Sequence, residues 1–332
     1  MNLTENRPLS PNLYQAVHYG EKMKVIDKKD IVFKFKKSYN IVYNEKYICC
    51  LGECVNLYNS DSGEFIKSIE EIHSPNFSRF TSDGKLVSQT TKGEYFIYDL
   101  KSEAILRKIS PPDGVLGSIT DFAITPDNRF IIGFAHISMK YKLMLIEIET
   151  GEKILFDLDN ARSCQLFHNT SKTEFYIAIK RAPDSTRSSL CPLDFYLLKY
   201  PFEKFNLTKM EIGKVECKSI IDFNDGKIVM VESDTRSSVL YSENTVIIYD
   251  IYNQKKESFA YQRDGYLHSL KLSKDCKYLA VGESREVSVF DVVEKKCIKA
   301  FDVDYGCFAD FFGDNAKLLV GTWEEGYCLK II

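Results

Sequence analysis

The sequence predicts an all-β chain closed into a single seven-bladed β-propeller, and three observations carry that prediction. A polar turn recurs behind an apolar run: Thr81-Ser82-Asp83-Gly84-Lys85, Thr125-Pro126-Asp127-Asn128-Arg129, Phe223-Asn224-Asp225-Gly226-Lys227, Ser273-Lys274-Asp275-Cys276-Lys277 and Gly313-Asp314-Asn315-Ala316-Lys317. A later strand in the unit recurs with an aromatic residue and Asp at its end, as Phe96-Ile97-Tyr98-Asp99, Ile247-Ile248-Tyr249-Asp250 and Ser288-Val289-Phe290-Asp291. The unit repeats every roughly 40–50 residues, and short strands at that period are the signature of a propeller.

The elements follow in order when each unit is read as strands A to D. The first unit has Tyr47-Leu51, Cys54-Tyr58 and Glu64-Ile69, with a turn at Asn59-Ser60-Asp61-Ser62-Gly63. The second is the most regular, with strands at Asn76-Phe80, Leu86-Thr90, Tyr95-Asp99 and Ala104-Ile109. The third carries Phe130-Phe134, Leu143-Ile148 and Lys153-Phe156. The fourth spans Cys164 to Ile212, the fifth Lys218 to Ala260 and the sixth Tyr266 to Phe301. The seventh begins at Tyr305, supplies Leu318-Thr322 and Tyr327-Ile331, and has no fourth strand. Either Lys24-Val25-Ile26 or Ile31-Val32-Phe33 is left over to complete it, which would close the ring and remove open sheet edges. The organisation is therefore a polar lead at 1–20 and a propeller over 21–332. The strand runs are short and rich in β-branched and aromatic residues, and the turns carry Gly, Asp, Asn and Ser. One helical turn fits at Ser68-Ile69-Glu70-Glu71-Ile72. The lysines of Lys34-Phe35-Lys36-Lys37 read as protection of an edge strand, and Ile26-Asp27-Lys28-Lys29-Asp30 reads as a solvated face.

Composition narrows the function classes. An apolar fraction of 44% is enough for a substantial core. A net charge of −3 gives no global electrostatic case for nucleic acid or an anionic membrane surface. The polar start has no signal-peptide pattern and no apolar run approaches a membrane span. Most of the ten cysteines, among them Cys49, Cys50, Cys164, Cys217, Cys307 and Cys328, lie in apolar strand-like runs. Buried free thiols in a cytoplasmic protein are the expectation. No Cys-x-x-Cys and no His cluster suggests a metal site, and no cofactor motif is present.

The Ser/Thr-x-Asp-Gly-Lys turn after strand A and the aromatic-Asp ending strand C resemble a diverged WD40-like or YVTN-like seven-bladed propeller over roughly residues 24–332. That resemblance implies a protein-binding module. Two of the family's features are missing. No His follows a Gly, and the family's strand-C tryptophan is replaced by Tyr58, Tyr98, Tyr249 and Phe290. The family's hydrogen-bonded tetrad therefore cannot form, and the expectation is that the blades cohere through packing alone.

In this resemblance the D–A and B–C loops share one face, and loops on a rigid scaffold are where function concentrates. Three consecutive B–C connections read as long: Ala135-His136-Ile137-Ser138-Met139-Lys140, Lys180–Pro192 and Glu232–Asn244. Two of them contain the same tetrapeptide, Thr186-Arg187-Ser188-Ser189 and Thr235-Arg236-Ser237-Ser238. Arg187 and Arg236, flanked by Ser188 and Ser237, could grip a carboxylate or phosphate in bidentate fashion, with Lys140, Lys180 and Arg181 adding positive charge. The match could equally be an echo of repeat duplication. Trp323, the only tryptophan, falls in the last B–C turn on the same face, as a binding anchor or tucked against a neighbouring blade. The leading expectation is a non-catalytic scaffold that binds a protein or peptide, with an anionic or phosphorylated partner. A propeller lactonase or hydrolase with its site at the central channel and a small-ligand sensor remain alternatives. No serine-hydrolase elbow, zinc-protease motif or phosphate loop is present. If the arginine grip operates, replacing Arg187 and Arg236 together by Ala weakens partner affinity at least about tenfold. Unchanged affinity in a pull-down titration removes it.

Overall fold

The computed structural model describes residues 26–115, 121–168, 173–181, 191–202, 207–210, 216–217, 221–233, 243–262 and 265–331. Among them, seven antiparallel sheets follow one another around a ring. Blade 1 is built from Asn40–Tyr43, Tyr47–Leu51, Val55–Asn59 and Phe65–Ile69. Blade 2 comprises Pro75–Phe80, Lys85–Thr90, Tyr95–Asp99 and Ala104–Ile109, and blade 3 Ala123–Ile124, Phe130–Ile137, Lys140–Glu147 and Lys153–Asp157. Blade 4 has Ala161–His168, Glu174–Arg181, Cys191–Lys199 and Thr208–Met210, with the short Glu216–Cys217 as an extra strand on its third. Blade 5 comprises Ile221–Asn224, Lys227–Ser233, Glu243–Asp250 and Lys255–Gln262. Blade 6 comprises Leu267–Leu272, Tyr278–Glu283, Glu286–Asp291 and Lys296–Asp302.

The last blade answers the question left by the sequence. Its strands Gly306–Phe312, Lys317–Thr322 and Glu325–Lys330 are completed by Ile31–Lys36, which pairs antiparallel with Glu325–Lys330. Of the two candidate segments, the second therefore closes the ring. This outer strand buries Phe35 and leaves Lys34 and Lys36 exposed. The preceding Asp27–Asp30 region is more than a solvated face. Ile26 is buried between blades 6 and 7, and Asp30 holds Lys299 of blade 6 at 2.8 Å. At Ser68–Ile72 the expected helical turn is instead the end of a strand followed by a tight turn, with Ile72 fully buried.

The second and third strands are buried almost throughout: Tyr95–Asp99 and Lys317–Thr322 each expose only a terminal residue. Continuous apolar runs are what a strand covered on both faces requires. Each blade packs on the next through its own apolar cluster. Cys49, Leu57, Leu86 and Tyr98 join blades 1 and 2; Phe134, Leu143, Phe175 and Ile177 join blades 3 and 4. Phe35, Leu319 and Cys328 meet Ile41, Ile48 and Tyr58 at the seam between blade 7 and blade 1. With the clusters between the remaining neighbours, the packing is continuous around the ring.

Packing is not all that holds the blades together, contrary to the expectation from the missing tetrad. The aromatic at the end of the third strand reaches back to the outer strand of the preceding blade. The Tyr58 hydroxyl accepts the Lys36 N–H at 2.9 Å, and the Tyr98 hydroxyl accepts from Lys67 Nζ at 2.7 Å. Where the hydroxyl is lost, Phe290 meets Tyr261 edge-on at 5.4 Å. The recurring polar turn has a matching logic. The hydroxyls of Thr81, Thr125 and Ser273 each donate to the Asp two residues on, at 2.5, 2.7 and 2.7 Å, and each accepts a backbone N–H from the start of the second strand. The Asp after the aromatic caps the following turn. Asp99 accepts from Lys101, Ser102 and the Ser102 hydroxyl, and the Ser102 bond holds its carboxyl below the usual range.

At the seam two glycines let backbones approach. A Cβ on Gly321 would lie 2.5 Å from Ser38 O, and one on Gly52 2.9 Å from Lys37 O. Truncating Phe35 to Ala should cost about 3–5 kcal/mol, since it is 5% exposed and stacks edge-on with Tyr58. Tyr58→Phe should cost about 1–2 kcal/mol by orphaning the Lys36 N–H. Denaturant unfolding of the two variants checks both, and losses under half these values in both would remove the seam as a stability determinant.

Candidate interaction face and channel wall

Of the residues singled out in the sequence, Lys140, Arg181 and Trp323 lie at or beside the B–C connections. In blade 3 the expected long loop is a tight hairpin. Its strands run on through Ile137 and from Lys140, and only Ser138 and Met139 turn, both with positive φ (51° and 65°). Paired positive φ angles are the turn that the right-handed twist of a hairpin favours. The lengthening survives as a longer hairpin arm that holds Met139, 81% exposed, at its tip beside an exposed Lys140. The connections in blades 4 and 5 leave the strands at Arg181 and Ser233 and rejoin them at Cys191 and Glu243. Arg187, Ser188, Arg236 and Ser237 lie outside the described residues.

Arg181 is engaged within its own blade. Its Nε and Nη2 donate to Asp194 Oδ2 and to the Tyr196 hydroxyl, both at 2.8 Å, and Nη1 donates to Asp159 O. Lys209 adds a second cation on Asp194 at 2.7 Å. Arg181 thus ties the second strand to the entry of its blade, with its charge balanced by Asp194.

Trp323 stands at the seam. It is 46% exposed and meets Tyr39, itself 36% exposed, edge-on at 5.3 Å. Tyr39 comes from the D–A connection between the closing strand and blade 1, so chain segments from opposite ends of the sequence build one aromatic pair. Lys37 Nζ lies 5.2 Å from the Tyr39 ring centre and 6.0 Å from that of Trp323. The Tyr39 hydroxyl beside the ammonium raises the Lys37 pKa above its ordinary value. The arrangement is a preorganised amphipathic patch, with apolar ring faces flanked by a held cation.

The ring also assembles a group that sequence reading missed. Arg79, Asp222, Lys271 and Asp310 occupy corresponding places in the inner strands of blades 2, 5, 6 and 7, opposite Val87, Val229, Ala280 and Leu319. Asp121 of blade 3 pairs with Arg79. Lys271 Nζ lies 3.4 Å from Asp222 Oδ1, and Asp222 Oδ2 accepts the Leu272 N–H at 2.8 Å. Asp222 holds the Lys271 ammonium well above its ordinary value. Asp310, Arg79 and Asp121 act on the same ammonium, so charges from five blades face one another across the axis. Lys271 is 38% exposed even though protein surrounds it, as expected of a side chain exposed to a channel. The signal was present in the sequence as one charged residue two places before Thr81, Asn224 and Ser273, each next to an apolar residue of its strand.

Cys49, Cys50, Cys54, Cys164, Cys276, Cys297, Cys307 and Cys328 are free, and burial pushes the thiols of Cys164 and Cys328 up to about 12. Among the described residues no helix is long and apolar enough to cross a membrane, and no group of three His, Cys, Asp or Glu is placed to hold a metal ion. Comparison with protein-family models and with curated protein sequences gives no match.

The channel charges respond differently to removal. Burial raises the Asp310 pKa above the usual carboxylate value, against the pull of Lys271. A raised carboxyl adds stability only while protonated, and that contribution fades as pH climbs through the carboxylate range. Asp310→Asn should therefore gain stability relative to the native chain between about pH 3 and about pH 7. Asp222→Ala should lose about 1–3 kcal/mol at neutral pH, because its two donors are orphaned. Thermal unfolding across that pH range checks both signs.

Proposed function

We propose that this propeller is a non-catalytic scaffold of a diverged WD40-like kind that binds a protein or peptide on its D–A/B–C face. The observation that carries the reading is the exposed Trp323–Tyr39 pair with Lys37 against its rings. Aromatic anchors are over-represented among the residues that dominate binding energy, and rigid rings are ordered at little entropic cost. A cation held beside them suits an acidic or phosphorylated segment, the same partner chemistry as the arginine pair of the two nine-residue connections. The free, high-pKa thiols support residence in a reducing, cytoplasmic compartment. A hydrolase at the channel receives less support. The charged pairs there, Arg79–Asp121 and Lys271–Asp222, are bonded to each other, as in a structural lock.

Trp323→Ala should weaken partner binding by at least about tenfold while leaving thermal stability nearly unchanged. Affinity capture from the native cell followed by titration of the recovered partner gives the comparison. An affinity equal to that of the native chain would falsify the assignment of this patch.

A further inference from the structure

The channel wall holds one charge that the ring does not balance. Three carboxylates, Asp121, Asp222 and Asp310, stand against two cations, Arg79 and Lys271. Asp121 is taken by Arg79 and Asp222 by Lys271. Among the described residues Asp310 makes no ion pair; its one bond is the acceptance of its neighbour Phe311's N–H at 2.8 Å. The Tyr43 hydroxyl beside it donates elsewhere, to Phe311 O at 2.5 Å. A second observation is independent of charge. On the inner strands of blades 4 and 6, Gln165 Oε1 and Ser269 Oγ are buried with no hydrogen-bond partner among the described residues. A buried acceptor left unmade is costly. The unmet groups on the inner strands are thus a carboxylate, an amide carbonyl and a hydroxyl, each able to accept.

We propose that the channel is a binding site for one small organic cation rich in N–H donors, a primary ammonium or a guanidinium, with the Asp310 carboxylate as its counter-ion. An ammonium brings three donors and a guanidinium five. The carboxylates do not form a metal-binding group, which favours a cation that needs one counter-ion and several acceptors over one that needs chelation. The cation could be a free amine or the Lys or Arg side chain of a docked segment, and the same chemistry recognises either. The site is separate from the Trp323 patch, so its failure and that of the scaffold reading are read by different variants.

Isothermal titration of the full chain with n-butylammonium chloride, methylguanidinium chloride and tetramethylammonium chloride tests the site. The first two should bind and the third, which has no N–H, should not. Asp310→Asn should lose at least about tenfold in affinity while melting no lower than the native chain. A second series uses the capped peptides Gly-Arg-Gly and Gly-citrulline-Gly: binding of the first alone assigns the site to side chains as well as free amines, and binding of neither confines it to free amines. Should Asp310→Asn not fold, the native chain decides, because binding must strengthen as pH rises above the usual carboxylate range and Asp310 ionises among Lys271, Asp222, Arg79 and Tyr43. Equal affinity in both proteins, equal binding of tetramethylammonium, pH-independent binding, or no heat from either N–H cation at millimolar concentration overturns the proposal.

Discussion

Everything in this molecule depends on the antiparallel pairing of Ile31–Lys36 with Glu325–Lys330. Without it blade 7 would present an open edge, and the cluster of Phe35, Leu319, Cys328, Ile41 and Tyr58 would lose one wall. A propeller blade buries both faces only if it has neighbours on both sides, so one open seam costs two interfaces. The seam is accordingly fastened several times. Tyr58 accepts from the closing strand, Lys34 pairs with Glu325 at 2.7 Å, Lys299 pairs with Asp30, and Ser38 N–H donates to Thr322 O at 3.3 Å. The exposed ion pair among these contributes little by itself; the buried ring and the backbone ladder carry the joint.

The proposed binding patch depends on the same constraint. Trp323 precedes the last strand and Tyr39 follows the first, so closure is what brings the two rings to 5.3 Å. The patch exists only in the closed ring, which would couple partner binding to ring integrity. The charged wall has a related origin. A closed ring of seven strands points corresponding positions at one axis, so Arg79, Asp222, Lys271 and Asp310 meet although they are far apart in sequence. Opposite charges there pair with one another, and an unmatched one favours a ligand or a proton.

A recurring aromatic position ties neighbouring blades together. A tyrosine at the end of the third strand is long enough to reach the preceding blade's outer strand, and it does so at Tyr58 and Tyr98. At Phe290 edge-on ring contact does the same task without a hydroxyl. One position thus tolerates two chemistries, because what it must supply is reach and bulk at the interface.

The sequence by itself determined the strand content, the seven-fold repeat, the hydroxyl–Asp turns and the need for an N-terminal strand. Those features are local: periodicity, turn chemistry and a missing strand are visible within each unit. It also marked Trp323 as worth following. What tertiary structure alone decided is which segment closes the ring, since Lys24-Val25-Ile26 and Ile31-Val32-Phe33 are both short apolar runs and pairing against Glu325–Lys330 picks the second. Tertiary structure also turned the blade 3 loop into a hairpin, because paired strands can extend through His136 and Ile137 when Tyr141 and Lys140 lie opposite. It committed Arg181 to Asp194 on the neighbouring strand of the same blade. And it gathered five charges at the axis, since side chains that share no local pattern meet only when the ring is closed.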